Sequence, residues 1–541
     1  MRRARSWLPR LLGGRFDPEV APRLDERLDR LEPPLSWLVA LGGPLIAYLP
    51  WATRRIGAAR DLSRFLLASA ELARPDRELA PTRIVGDPVT GRDNSLIPLR
   101  IHYQVIVVGS GTGGAIAAAS AAGAGRSVLI VEEGPAIAAG QHAPHSAEQS
   151  LEQLRSGGSS LVLGRPMSLI AEGRTLGGGS EVNSGFYHRL EGERRSRWIA
   201  TAGSSEEEWL ALECELETRL SVSEAPVRTE RHPLELGALA RSLPVERARV
   251  WSKSERGFPE HQGALRTYLA DAQAAGARIL SSSRVESFVA GPSGIRVSVR
   301  LASGERREIT ADELVLAGGA IETPRLLVRS GAARPSDLCF SLAPMLRVAA
   351  EVGYPVAHGH LPEPVVARSA DGRYKFATAA GTRPFLRATL RALGVDPETL
   401  RTPLEQLFVC YASFVPEGTG GFLALGGQLT PRMRWSEGDR LDMRRASEEL
   451  RVTLAAGGAQ RLWPAVGQSG VSSVHIGASL PIGGGLLDRD GRLLSDRRVR
   501  VSDASAMPEL PWVNPGGPLS VLALLLARRA EASAAQSRSI L

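Results

Sequence analysis

The chain has 541 residues, 43% of them hydrophobic and 23% charged, more than one compact core needs, so two or three domains are expected. Its net charge of +8 does not mark a nucleic-acid binder: only two of the 66 basic residues are lysines, Lys253 and Lys375, and the arginines are scattered among 58 acidic residues without a basic stripe. Three dispersed cysteines, Cys214, Cys339 and Cys410, exclude a disulfide framework and fit a reducing, cytoplasmic compartment.

Residues 1–99 read as a helical extension broken by Pro and Gly. The start, "MRRARSWLPRLLGG", is basic but lacks the apolar core of a signal peptide. Residues 35–52, "LSWLVALGGPLIAYLPWA", are uncharged and near the length of a membrane span, but Gly42, Gly43, Pro44 and Pro50 interrupt them. A buried or surface-docked helical hairpin is expected there, with Trp37, Tyr48 and Trp51 suited to peripheral membrane contact. From residue 100 the texture changes. "YQVIVV" (103–108) predicts a buried strand, "GGAIAAASAAGAG" a small-residue helix, and "SVLIVEEG" (127–134) a second buried strand. Residues 263–276 have helical spacing and end on Gly276. Residues 283–309 alternate around two turn signals and predict a β-meander, and 311–320 a strand entering a glycine turn. The stretch 336–470 has weak periodicity. A Leu-rich helix is expected at 519–536.

The first turn, "GSGTGG", places Gly109, Gly111 and Gly114 in G-x-G-x-x-G spacing between a strand and a helix, with Thr112 among the candidate cofactor residues. Gly109 permits the tight turn, Gly111 lets backbone approach a pyrophosphate, and Gly114 lets helix and sheet pack closely. Glu132 ends the next strand, 23 residues after Gly109, where a carboxylate can take ribose hydroxyls. Its bland alternative is a solvated strand-end charge, the reading given to Glu133. A second glycine cluster, "GRTLGGGSEVNSGFYHR" (173–189), holds Gly177, Gly178, Gly179, Ser180 and Asn183. Alone it is equally a plain loop, and the fingerprint alone does not separate NAD from FAD. Near the C-terminus, "VSSVHIGASLPIGGG" (471–485) sets His475 among small and β-branched residues; by itself such a histidine is more often structural than catalytic.

Four segments together resemble the glucose–methanol–choline (GMC) flavoprotein oxidoreductases: "VIVVGSGTGGAIAAASAAGAGRSVLIVEEG", the second glycine cluster, "LVLAGGAIETPRLLVRSG" (314–331), and "VHIGASLPIGG" with "VSDASAMPELPWVNP". They cover about half the chain, and the long N-terminal extension is most similar to the cholesterol oxidase and long-chain alcohol oxidase branch. The resemblance implies an α/β fold: a Rossmann-like FAD-binding domain (100–220, 262–335, 471–541), a mixed or antiparallel-sheet substrate domain (221–261, 336–470) and the helical extension 1–99. It implies non-covalent FAD, with Gly178, Gly179, Ser180, Asn183, Val285, Asp503, Ala504, Pro515 and Gly516 joining the fingerprint residues at the cofactor. It implies His475 as general base for a small-molecule alcohol, paired with Asn514, 39 residues on, which holds the substrate oxygen. Oxygen or another electron acceptor would reoxidise the flavin. Asp503 reads equally as a turn cap.

The chain departs from the family where Ala478–Gly483 replace the usual residues after the histidine, and where "GGPLS" follows Asn514. The branch and the apolar 35–52 segment point to a long-chain alcohol, sterol or terpenoid. The competing readings are a flavin lyase or photodecarboxylase on the same scaffold, and a decayed electron-transfer partner, against which the retained His475 and Asn514 speak. A hydrolase lacks its G-x-S-x-G elbow. His358 and His360 make only an H-x-H pair in a loop, without metal-ligand spacing.

Overall fold

The computed structural model describes residues 21–31, 38–39, 57–72 and 99–540, apart from short gaps at 139–140, 226–230, 256–257, 357–361, 426–427, 466 and 468–469. His358, His360 and all of 35–52 except 38–39 lie outside the described residues.

Strand β1 (His102–Val108) is a continuous apolar run because a parallel strand is covered on both faces. Gly109 turns the chain at φ +95°, helix α1 (Thr112–Gly123) follows, and β2 (Val128–Val131) is wholly buried. Both strands join a seven-stranded sheet in the order 278–280, β2, β1, β3 (Arg306–Leu316), 294–300, 284–291, with 499–501 added to β3. The pairings around β1 and β2 are parallel; the two outer ones are antiparallel and form the meander expected at 283–309. β3 serves both halves, pairing His102 with Thr310 on one side and Arg300 with Arg306 on the other.

The helix expected over 263–276 forms only at Tyr268–Ala274. Two N–H groups before it are taken by the second glycine cluster: Ala264 N–H donates to Ser180 Oγ at 2.8 Å and Leu265 N–H to Glu181 Oε1 at 3.0 Å. A tertiary demand there outranks local helical spacing.

The weakly patterned region builds a nine-stranded sheet. Its strands are β4 (Met345–Glu351), β5 (Val365–Arg368), β6 (Lys375–Thr378), β7 (Leu407–Ser413) and β8 (Val471–Ser473), with the shorter 160–162, 168–170, 245–247 and 461–463. Residues 160–170 and 471–473, grouped by sequence with the dinucleotide domain, are hydrogen-bonded into this sheet. Three-residue strands carry too few side chains to show a period. One face of the sheet packs Leu346, Val348, Cys410 and Ala412 with Met443 and Leu450 of α4 (Glu437–Ala456) in the main core; α3 (Arg383–Ala392) covers Ala349 and Val409 on the other. Helix α2 (Gly319–Arg329) leaves the end of β3, and α5 (Gly516–Ile540) lies against α1.

Two helices of the extension dock on this body. Arg27 of Ala21–Asp29 reaches Ser150 Oγ at 3.0 Å. Glu71 of Gly57–Leu72 sits between Arg387 at 2.9 Å and Arg391 at 3.0 Å. Among the described residues no helix is long and apolar enough to cross a membrane.

Arg500 is 1% exposed and ion-paired to Glu313, which also takes Arg126 at 2.9 Å; Arg126 continues to Glu531 at 3.0 Å. Burial pushes the Glu313 carboxyl up, but the two guanidiniums outweigh it and hold it below its ordinary value. Glu313→Gln is expected to cost about 3–5 kcal/mol in urea unfolding, because it leaves Arg500 buried and uncompensated. A depressed carboxylate pKa stabilises above the unfolded value of 4.5 and loses that stabilisation as pH falls through the folded one. The difference between wild type and variant should therefore shrink on acidification below the ordinary carboxylate range.

Candidate active site

One hydrogen-bonded chain assembles the first half of the site. Ser110 donates to Glu132 Oε2 through its N–H at 2.9 Å and its hydroxyl at 2.7 Å, and Gly134 N–H donates to Oε1 at 2.7 Å. Ser110 Oγ in turn accepts Gly177 N–H at 3.0 Å. Glu132 is therefore not a solvated strand end: it is 6% exposed and welds the end of β2 to the fingerprint turn, which holds the second glycine cluster. Burial raises its pKa, opposed by these hydrogen bonds. Ser180 Oγ closes the cluster onto Gly177 O at 2.8 Å.

The glycines divide by what surrounds them. A Cβ on Gly109 would stand 2.3 Å from Ala317 O, on Gly114 2.1 Å from Gly109 O, and on Gly113 1.8 Å from Ser502 O. Gly113 was not singled out by spacing, since its need comes from a segment nearly 400 residues away. Gly111 differs: a Cβ there would meet only Gly178 Cα, at 3.9 Å. The chain's own packing does not require glycine at 111, whereas a diphosphate approaching the α1 N-terminus does. Gly178 (φ +61°) abuts Gly111 from the second cluster, and its own Cβ would come within 2.7 Å of Gly111 Cα. This cradle fits a dinucleotide: bare backbone, a helix N-terminus with orphan N–H groups, and a buried carboxylate beside them.

His475 sits where the chain passes from β8 into the strand Ile476–Gly477 of a different sheet. Its backbone is clamped: Ser473 Oγ accepts its N–H and donates to its C=O, both at 3.0 Å, and Ala343 N–H donates to the same carbonyl at 3.1 Å. Burial, then the Lys375 cation, then His188, push the imidazole down to about 3. Lys375, on the fully buried β6, donates to Asn514 Oδ1 at 3.3 Å. Burial, with Arg368 adding repulsion and Glu246 attraction, takes Lys375 down to about 8. His188, pushed to about 3 by burial, Lys375 and Arg368, has a buried Nε2 without a partner. The structure thus brings together His475, Asn514, Lys375 and His188. Lys375 and His188 were missed as site residues, although Lys375 is one of only two lysines in an arginine-rich chain.

The remaining candidates divide. Asp503 is committed within the chain: Oδ2 accepts Gly319 N–H at 2.7 Å and the Thr323 hydroxyl at 2.5 Å, and Oδ1 caps Ser505 N–H at 2.7 Å. Its side chain is a cap that joins the start of α2 to the turn Ala504–Ala506. Ala504 O accepts Ala478 N–H at 2.9 Å, so the segment after His475 is tied to that turn. Val285 is core, paired with Val299. Gly179 and Asn183 are exposed, and Asn183 Oδ1 takes Gly185 N–H at 2.8 Å. Pro515 precedes α5 and accepts Leu519 N–H at 2.9 Å. The "GGPLS" departure has a packing cause: a Cβ on Gly516 would meet Trp251 at 2.5 Å, and one on Gly517 the His188 carbonyl at 2.4 Å.

A Rossmann-type sheet with paired glycine loops, joined to a second sheet whose Lys375 lies beside His475 and Asn514, has the form of a dinucleotide-binding fold. Residues 150–356 match the family model for GMC oxidoreductases. A GMC-type oxidoreductase of Mycobacterium tuberculosis is 29% identical over 95% of this chain and 86% of its own length. A long-chain-alcohol oxidase of Arabidopsis thaliana is 30% identical over 45% of this chain and 36% of that one. Pyridoxine 4-oxidase from Mesorbium loti, 17% identical, shares the fold with a TM-score of 0.61 over 80% of this chain and 99% of its own. The chain is thus similar to the GMC oxidoreductases, in sequence over the matched residues and in fold.

The glycine division is testable. Gly113→Ala is expected to lower stability by at least about 3 kcal/mol, as an overpacked core position does, read by thermal unfolding. Gly111→Ala should unfold within about 1 kcal/mol of wild type yet purify with strongly reduced flavin content. Equal flavin content in Gly111→Ala and wild type would remove the phosphate from this turn.

Proposed function

We propose that the protein is an FAD-dependent oxidoreductase that oxidises the CH–OH group of an apolar alcohol, with His475 as general base. The observation that carries the reading is the cluster of His475, Asn514 and Lys375, where the only hydrogen bond between side chains, Lys375 to Asn514, fixes the amide. Lysine has no acceptor, so the atom facing it is Oδ1 and Nδ2 is left for another oxygen. Asn514 therefore presents a donor to the substrate oxygen. His475 is neutral at working pH and accepts the hydroxyl proton. A base held so low takes that proton only if the oxygen is stabilised as it loses it. The Asn514 N–H and the Lys375 charge behind it supply that stabilisation.

The cradle of Gly111, Gly178 and the α1 N-terminus, with the one remaining lone pair of Glu132 Oε1 for a ribose hydroxyl, would hold the cofactor non-covalently. FAD, when bound, supplies the hydride acceptor. The apolar preference is supported by Met345, Val366, Ala377 and Tyr411, which cluster on the sheet face that Lys375 shares, and by the similarity to a long-chain-alcohol oxidase. Oxygen or another acceptor completes the cycle.

The test is an anaerobic visible spectrum of the flavin-loaded protein with a panel of alcohols. Wild type should bleach with apolar alcohols. His475→Ala should hold flavin but bleach about 10²–10⁴-fold more slowly. A flavin that no alcohol bleaches removes alcohol oxidation. Lys375→Met should slow bleaching and displace the acid limb of the pH profile. The Lys375 cation lowers the His475 pKa, so its loss raises that pKa, and activity should fail at a higher pH than in wild type. An unmoved acid limb would separate Lys375 from the base.

A further inference from the structure

The face of the nine-stranded sheet that bears Lys375 carries a second basic group. Register places Arg347 of β4 opposite Tyr411 of β7, Tyr411 opposite Ala377 of β6, and Lys375 opposite Ser413. Side chains two residues apart share a face, so Lys375, Ala377, Tyr411 and Arg347 line one side. Met345, Val366, Ala377 and Tyr411 form the apolar cluster on it.

Arg347 Nε is shut from solvent and has no partner. Its guanidinium lies 5.1 Å from the Phe385 ring centre, and no carboxylate among the described residues pairs with it. Burial lowers its pKa to about 10, with Tyr411 the one ionisable neighbour acting on it. On the other side of Phe385, 6.3 Å between ring centres, His145 has a buried Nε2 without a partner. Phe385 is in the first turn of α3, whose N-cap Thr382 makes no side-chain cap; its hydroxyl donates to His145 O at 3.3 Å. A guanidinium and an imidazole thus both lie against one aromatic ring at the start of α3, where the nearby acid Glu405 is taken by Arg383. A buried guanidinium without a counter-charge is costly, and its geometry matches a carboxylate or phosphate.

We infer that this face takes an alcohol that also carries an anionic head group, held by Arg347, with the apolar chain over Tyr411 and Ala377 and the hydroxyl at the Lys375 end. The hydroxyl end rests on the proposed alcohol oxidation; the anion subsite stands without it. Arg347 and Lys375 lie two strands and two residues apart, roughly 12 Å between Cα atoms. That span suits a chain of medium length and not a short hydroxy acid.

The experiment is calorimetric titration of the flavin-loaded protein with dodecanoate, dodecyl phosphate and dodecanol, which needs no turnover. At least one anionic probe should bind about tenfold or more tightly than dodecanol, and the comparison of the two identifies the head group. Arg347→Met should weaken the anionic probe by about 10–100-fold and leave dodecanol unchanged, with Arg347→Lys between. The wild-type comparison holds if a variant fails to fold. In turnover, ω-hydroxydodecanoate should exceed dodecanol in kcat/KM by about tenfold, an advantage lost in Arg347→Met. Equal affinity for dodecanol and both anions, or an Arg347→Met variant with wild-type anion affinity, overturns the subsite. Arg347-dependent anion binding without bleaching by any alcohol would keep the subsite and remove the oxidation reading.

Discussion

The Ser110 hydroxyl is the joint on which the architecture depends. It donates to Glu132 and accepts from Gly177, so one oxygen fixes the end of β2, the turn after β1 and the second glycine cluster to one another. The consequence is two runs of bare backbone in contact, Gly111 against Gly178, with a helix N-terminus beside them. Such a surface can only be kept open by glycines and only kept in place by buried hydrogen bonds, because it has no side chains of its own with which to pack. The second cluster then reaches outward through Ser180 and Glu181 to residues 264 and 265, which explains why the helix there starts late.

The reacting end is organised by charge more than by hydrogen bonds. Lys375 sits on a fully buried strand, makes one bond to a neutral amide, and depresses both His475 and His188. Burial is the larger cause of the unprotonated imidazole, and the Lys375 cation adds to it. Further along the same sheet face, Arg347 has a buried Nε without a partner and lies over the Phe385 ring. Structural arginines in this protein look different: Arg500, Arg126 and Arg391 are each tied to a carboxylate.

The parts of the fold legible in the sequence were those with local chemistry. The β1–α1–β2 unit, its glycine spacing and the meander were readable because buried parallel strands, small-residue helices and turn-bounded alternation each leave a periodic mark within a few residues. The nine-stranded sheet left none, since five of its strands have three residues each and one of them, 168–170, finds its partner 471–473 some three hundred positions away. His475 and Asn514 were singled out by resemblance alone; the backbone clamp on His475 and the Lys375 bond to Asn514 are visible only in the structure. Asp503, read equally as a cofactor residue and as a turn cap, accepts hydrogen bonds from Gly319, Thr323 and Ser505, contacts that the local pattern does not show.

By itself the amino-acid sequence determined the kind of protein this is, because a dinucleotide turn is a local object: three glycines, a strand before and a helix after are enough to specify it. Which side chains surround the base, and which glycines serve packing and which a ligand, was decided only in three dimensions. Gly113 needs its hydrogen because of Ser502, and Lys375 acquires its role from Asn514; the partners are 389 and 139 residues away. Electrostatic effects and steric exclusion act through space over a few ångströms, and only the folded chain sets those distances.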